Sequence, residues 1–407
     1  MEQNPELRRQ RRREKAEKRN RQRKRLLIRL GFAAGILLVV LIVLFVWLGG
    51  SKKKSAVGQM GPNTTTYHIA FGGDITVTDQ VVASGGAEYD YTGTFMDVAP
   101  LFAGADLAAV NFEGLLYGQP YGTEGKGSAP RQMLDAMDSA GIDLVQMANS
   151  YALNHGNSGL SMTLTGIRDA GMEPIGAYST SQEAEEQEGF ILCDVGGMRI
   201  AFVAFTKGMN GNRILDQFSG CVNVLYTDYY DNYQTVDTEG IQKVLEAVEK
   251  AEPDLTIAML HWGSEYSDPI SESQDQILQL MLDGGVDAVI GTHARRVQEM
   301  VYDKNTGTFV AYCLGEMLGD ASRSGAEYSV ILDLQITKNN DTGDVWISGF
   351  DYVPIYTVRE EGKPLRVVRI EEAMRAYENG YYDAVSEETY NSMKNALSRI
   401  EARVNGE

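Results

Sequence analysis

Residues 255–298 read LTIAMLHWGSEYSDPISESQDQILQLMLDGGVDAVIGTHARRVQ. The apolar run 255–260 has the length of a buried strand, and 288–291 forms a second. Between them Ile277, Leu278, Leu280, Met281 and Leu282 give a helix with an apolar face, stopped by Gly284-Gly285. Strand, helix, strand is a crossover whose product is a pair of parallel strands. Each strand delivers a histidine at its carboxyl end, His261 after the first and His293 after the second. Open α/β sheets bind ligands at the carboxyl ends of their strands. The chain has four histidines, and two of them arriving at equivalent strand ends mark a site.

The alternation continues on both sides of this stretch. Strands are predicted at 67–71, 107–111, 143–147 and 174–177, with helices at 94–102, 131–140 and 160–170. Val195-Gly196-Gly197 joins 190–194 and 198–205 as a hairpin, and 241–251 is a helix leading into the crossover. Residues 301–358 read mainly as strands, and the last 40 residues return to helical periodicity, at 370–377 and about 387–404. Alternating elements followed by strand-rich sequence predict α/β layers with mixed sheets.

The N-terminal part is of another kind. Residues 1–29 hold 13 Lys and Arg against four Glu, and 30–48 carry no charge. Nineteen residues at ~1.5 Å rise reach roughly 28 Å, the thickness of a bilayer core. The run is longer than the apolar part of a cleaved signal peptide and leads into Lys52-Lys53-Lys54, so it reads as a retained signal anchor. Thirteen basic residues before the span and three after it keep the N-terminus cytoplasmic and export the rest. The expected organisation is a basic tail (1–29), a membrane span (30–50), a linker (51–66), one large domain (67–358) and a helical extension (359–407).

Residues 1–54 contain 16 Lys and Arg against four Glu, so the −19 of the whole chain leaves −31 for 55–407. Such an acidic domain is no nucleic-acid binder, and it favours cations. Cys193, Cys221 and Cys313 are too few for a disulfide framework, and their spacing suits no zinc motif. One disulfide is open to them. Cys193 and Cys313 read as small buried hydrophobes.

Other strands also end in polar residues: Phe71-Gly72-Gly73-Asp74, Asn111-Phe112-Glu113, Asn149-Ser150-Tyr151 and Leu314-Gly315-Glu316. Carboxylate oxygen with imidazole nitrogen is the ligand set of hydrolytic divalent-metal centres. Taken in order from about residue 67 to 356, these stretches resemble the capsule-synthesis protein CapA family. That poly-γ-glutamate synthesis group is related to calcineurin-like metallophosphatases. Gly73-Asp74-Ile75 resembles the family's opening GDI, and 105–113 its aDlvvaNlE. Residues 148–160, with Gly171 and Gly176 beyond, are similar to ANNHalDyG…GL…aGi…vG. Residues 260–266 resemble lHWG.EY, 288–293 dvViGhHpH, and 312–315 YSLGN.

The resemblance implies a four-layer α/β sandwich of two mixed sheets flanked by helices, behind the single N-terminal transmembrane helix. It implies one divalent metal ion at Asp74, Glu113, His261 and His293. Asn111, Asn149, Trp262, Glu265 and Tyr266 would meet substrate, with Trp262 and Tyr266 alternatively packing below the site. The chain departs from the family where the chemistry lies. Ser150 and Tyr151 stand in place of an Asn ligand and a His proton donor, Asn154 in place of Asp, Arg295 in place of a His, and Glu316 in place of Asn. An arginine cannot coordinate a metal, but it supplies a fixed positive charge. Tyr151 and Arg295 are therefore the candidate catalytic residues, orienting substrate and balancing anionic charge. His155 is expected to be a loop residue. The implied function is synthesis, anchoring or processing of a poly-γ-glutamate capsule or related envelope polymer at the cell membrane, by a hydrolase or transferase. The implied partners are that polymer or capsule-synthesis membrane proteins. The alternative is a non-catalytic module that binds polymer or partner through the same cleft. A phosphoesterase of the soluble type would need the complete His and Asn set.

Overall fold

Among the described residues, fourteen strands form two mixed sheets. The computed structural model describes residues 63–319 and 323–406. The basic tail and expected membrane span lie outside them. Among the described residues no helix is long and apolar enough to cross a membrane.

The first sheet begins with β1 (Thr64–Thr76), β2 (Leu107–Glu113), β3 (Leu144–Gln146) and β4 (Glu173–Ile175), all parallel. The chain then builds the second sheet from β5 (Phe190–Val195), β6 (Met198–Thr206), β7 (Leu255–His261), β8 (Ala288–Thr292), β9 (Met300–Asp303) and β10 (Thr308–Ala311). It returns to the first sheet with β11 (Glu316–Leu318), β12 (Tyr328–Asn339), β13 (Val345–Val358) and β14 (Arg366–Arg369). The strand orders are β14-β13-β12-β1-β2-β3-β4, with β11 also on β1, and β5-β6-β7-β8-β10-β9.

Alternation along the second sheet fixes the layers. Phe202, Ala204, Ile257, Met259, Ile290 and Ala311 join the core that contains Ile69, Phe71 and Val110 of the first sheet. Their neighbours Val203, Phe205, Ala258, Leu260, Val289 and Val310 pack instead with Ile241, Leu245, Ile277 and Met281. Those last four belong to the helices Thr238–Lys250 and Glu272–Asp283. The crossover is as its sequence predicts, with β7 and β8 parallel and Leu260 opposite Gly291. Its helix starts on a capping box, where Ser271 accepts from the Gln274 N–H and Gln274 Oε1 accepts from the Ser271 N–H.

Two elements differ from the sequence reading. The helix expected at 94–102 is two short helices, Thr92–Phe95 and Ala99–Gly104. Pro100 falls in the first turn of the second, where its missing N–H costs nothing; within one continuous helix it would break a bond. The first strand runs from Thr64 to Thr76 rather than 67–71. Its second half leaves β12 and pairs with β11 at Asp74–Glu316. All three cysteines are free, and Cys193 is only partly buried because it lies on the edge strand β5.

A bulge in β1 aims the site. Phe71 pairs with Ala109 but Asp74 with Asn111, so β1 carries one extra residue between them. Gly72 and Gly73 supply it. A Cβ on Gly73 would stand 1.9 Å from the Gly315 carbonyl oxygen, which accepts from the Asp74 N–H at 3.1 Å. Backbone cannot give way there as a flexible side chain would. Gly73→Ala should therefore destabilise the fold by about 3 kcal/mol, read as a fall in the urea midpoint at unchanged slope. A midpoint within error of the wild type would mean that β1 and β11 are not held this closely.

Candidate metal centre

The carboxyl ends of β1, β2, β3, β7, β8 and the start of β11 converge. Asp74 sits beside Asn111, and Thr76 beside Glu113, as register neighbours of β1 and β2. From the second sheet come His261, which shares the inward parity of Ile257 and Met259, and the turn His293–Arg295 after β8. His293 and Arg295 adopt φ of 84° and 63°, left-handed values that cost a non-glycine residue on the order of 1 kcal/mol or more. That turn brings both side chains into the site.

Arg295 is the hub. It is 4 % exposed and contacts Glu113 Oε2, Glu316 Oε1 at 3.2 Å, Thr76 Oγ1 at 2.5 Å, Glu265 Oε1 at 3.0 Å and Asp74 Oδ2 at 3.7 Å. Asp74, Glu113 and Glu316 are buried. Asp74 also accepts from Asn111 Nδ2 at 2.6 Å and from the His293 N–H at 3.1 Å. Asn149 braces this pair, donating to Asn111 Oδ1 and the Phe112 carbonyl.

The imidazoles of His261 and His293 lie 4.4 Å apart. His261 Nδ1 is 3.2 Å from Thr292 Oγ1, while Nε2 is 3.0 Å from both Ser150 Oγ and Glu113 Oε1. Glu113 Oε1, Glu316 Oε2 and His293 Nδ1 are buried with no hydrogen-bond partner. Glu113, His261 and His293 each offer a ligand atom, and these atoms lie within 4.8 Å of one another. Unpaired acceptors facing one another in a buried site fit a cation.

The electrostatics support that reading. Burial would raise the Glu113 carboxyl, but the Arg295 guanidinium and His261 outweigh it and hold it at about 2. Burial raises Asp74, against the opposing pull of Arg295. Burial pushes Glu316 up to about 7, again against Arg295. Desolvation drives His293 well below the usual imidazole range, aided by His261, Arg295 and Lys207, so its imidazole is neutral, the form that could hold a cation. Burial raises the Tyr151 phenol beyond its ordinary value, with Glu113 adding to the effect. It therefore stays protonated near neutrality, a hydrogen-bond donor and a weak acid.

The structure thus brings together Asp74, Asn111, Glu113, Asn149, Tyr151, His261, Glu265, His293 and Arg295. Trp262 is apart from them. The alternation that turns His261 inward turns Trp262 toward the helices, where it is fully buried and donates to the Tyr312 carbonyl at 2.8 Å. Tyr266 is half-buried, with Arg323 over its ring at 4.4 Å. His155 stacks on Tyr117 and meets the Gly125 carbonyl, a loop residue as predicted. Thr76 and Lys207 carry no sequence expectation. Thr76 lies two residues beyond Asp74 on one face, and Lys207 directly follows the apolar run of β6; both signals were available at strand ends. A cleft of about 270 Å³ opens beside Ser150, Glu265, His293 and Lys207. A second hollow of about 510 Å³, by Tyr356, Glu360 and Glu388, is lined by none of these residues.

The family model for the bacterial capsule synthesis protein PGA_cap matches residues 68–321. The chain belongs to this family. The family match spans Asp74 through Glu316, and so every residue of the cluster. The capsule biosynthesis protein CapA of Bacillus anthracis is 23% identical over 350 residues, covering 84% of this chain and 79% of that protein. The PGA biosynthesis protein CapA of Bacillus subtilis (strain 168) is 24% identical over 329 residues, covering 77% and 78%. Among solved structures, the calcineurin-like phosphoesterase YfkN from Bacillus subtilis is similar at 14% identity and a TM-score of 0.44, covering 83% of this chain and 99% of that one.

Glu316 yields a pH prediction. Between its ordinary value of 4.5 and about 7, the folded chain holds a proton that the unfolded chain has released. Stability from this group is therefore lost as pH rises through that window. In chelator-treated protein, Glu316→Gln should remove up to about 3 kcal/mol of that loss, measured as urea midpoints at pH 5 and 7.5. Identical pH slopes in the two proteins would contradict the assignment.

Proposed function

We propose that this chain is a membrane-anchored, extracytoplasmic capsule-synthesis protein that acts on an acidic envelope polymer of the poly-γ-glutamate kind. It uses an altered centre with one divalent cation. The observation that carries the reading is the pairing of orphaned acceptors, Glu113 Oε1 and His293 Nδ1, with a guanidinium beside them. Glu113, His261 and His293 would hold the ion, with Asp74 in support through its bond to the His293 N–H. A bound divalent ion supplies hydroxide near neutral pH and polarises a carbonyl. Arg295 balances charge on Asp74, Glu113 and Glu316 without coordinating anything. Tyr151 offers a fixed hydrogen-bond donor that orients substrate.

The polymer class is supported by the names of the Bacillus relatives, which are capsule and PGA biosynthesis proteins. The anchor is supported by the uncharged run at 30–48 between 13 and three basic residues. One observation favours the second reading, a polymer-binding module without turnover. The residue at the family's proton-donor position, Tyr151, is held protonated by burial, and general acid help of about 10²–10⁴-fold would be missing.

Metal content of the full chain, purified in detergent and loaded with zinc or manganese, should approach one ion per chain. The double change His261→Ala with His293→Ala should bring it to none with the fold retained by circular dichroism. Zero metal in the wild type, or no change in the double variant, would sink the metal reading. Shortening or transfer of a γ-glutamyl polymer by the loaded wild type then separates enzyme from binding module. For the anchor, protease added to spheroplasts should degrade the 67–407 region; full protection of that region would reverse the topology.

A further inference from the structure

We infer that Lys207 is the anchor for one carboxylate of an acidic polymer, seated in the cleft beside His293. The inference rests on the polymer reading above and adds the residue that selects for charge. β6 runs parallel to β7 with Thr206 opposite His261, so its carboxyl end brings Lys207 to the rim of the same site. The Lys207 N–H donates to the His261 carbonyl at 2.8 Å, which fixes its backbone against the centre.

The side chain is held as well. Its Nζ donates to the Gly263 carbonyl at 2.5 Å and lies 4.7 Å from the centroid of the Tyr233 ring. The surroundings are shaped for this. A Cβ on Gly208 would stand 2.3 Å from the Tyr229 carbonyl oxygen and 2.5 Å from Tyr233 Cε1, so only glycine lets the ring close on the lysine. Gly263 presents its carbonyl from a φ of 75°. A lysine placed this way has surrendered its rotamer freedom before any ligand arrives, and that lowers the cost of binding.

An ammonium has three donors. Gly263 takes one, the only hydrogen bond to Nζ among the described residues. The nearby carboxylate of Glu265 gives its Oε1 to Arg295 Nε and Nη2 and acts on Lys207 through its charge, with no hydrogen bond to Nζ. Lys207 is thus a cation with spare donors at a cleft of about 270 Å³, whose other walls include Ser150, Asn210 and Ser264. That volume suits one side group rather than a folded partner. Residues 55–407 carry a net charge of −31, so the domain as a whole repels a polyanion, and a fixed positive point inside the cleft is what admits one. Glu265 in the same wall favours a singly charged carboxylate over a doubly charged phosphate.

The test uses the full chain in detergent, fluorescent oligo-γ-glutamate, and its neutral amide counterpart, oligo-γ-glutamine. Lys207→Met should weaken the acidic probe about tenfold or more, as losing one partner of a close charge pair does. Lys207→Arg should stay within a few-fold of wild type. The neutral probe should bind weakly to all three proteins. Metal content should be the same in all three, since Lys207 is not a ligand. Equal affinity of wild type and Lys207→Met for the acidic probe overturns the assignment of Lys207 while leaving the polymer reading standing. Failure of the metal-loaded wild type to bind the acidic probe at all overturns both. Displacement of the probe by inorganic phosphate in the wild type but not in Lys207→Met would make the site one for phosphate, and would also overturn the inference.

Discussion

The guanidinium of Arg295 holds the centre together. Three buried carboxylates from three strands of the first sheet, Asp74, Glu113 and Glu316, converge on a site that also takes both inner histidines of the second. Burying one uncompensated carboxylate costs several kcal/mol, and carboxylates crowded together cost more. Arg295 enters from the turn after β8 and answers all three, so the ion pairs join the sheets through charge as the apolar core joins them through packing. One positive charge does not balance three negative ones. The excess is relieved where burial raises Glu316 toward 7 and Asp74 above its ordinary value, or by a cation at the unpaired acceptors.

Such a centre forms only if backbone is placed against its own preferences. The extra residue in β1 turns Asp74 into the site, and it exists because Gly73 tolerates the Gly315 carbonyl where a Cβ would not fit. The left-handed backbone at His293 and Arg295 is strain that the surrounding hydrogen bonds and ion pairs sustain. Gly291 does similar work one step earlier. A Cβ there would stand 1.9 Å from the Tyr312 oxygen, the same oxygen that accepts from the Trp262 indole.

What could be read from sequence follows from period and order. The β7–helix–β8 crossover was legible because apolar periodicity and a glycine stop define it locally, and both histidines follow directly from the strand ends. Strand parity, used one step further, would also have placed Trp262 on the helix side, since it alternates with His261. The split at Pro100 was legible too. The orientation of Lys207 was not, because it depends on Tyr233 and Gly263, which are distant in sequence and meet it only in the fold. The role of Glu316 required knowing that β11 docks beside β1 after the whole second sheet has intervened.

The imidazole of His261 shows how finely the metal reading depends on one proton. Thr292 Oγ1 is 3.4 Å from the Leu260 carbonyl and donates to it, so its lone pairs face His261 Nδ1 at 3.2 Å. That favours the proton on Nδ1, since the Asn111 amide that would otherwise donate to this nitrogen is 3.4 Å away and already committed to Asp74 at 2.6 Å. The contact of Nε2 with Glu113 Oε1 at 3.0 Å is an ion pair when the imidazole carries both protons and a meeting of two acceptors when Nδ1 alone is protonated. Two acceptors at that distance repel unless something positive lies between them. Glu113 Oε1 and the neutral His261 imidazole, with His293 as the third residue of the cluster, would together hold a cation there. Thr292 would thus orient His261 through its far nitrogen, a common way to fix the tautomer of a metal-binding imidazole. Ser150, standing in place of the family's asparagine, contributes a hydroxyl 3.0 Å from the same Nε2. It can donate to that nitrogen when no cation is bound, which makes serine a competitor for the lone pair rather than an additional ligand.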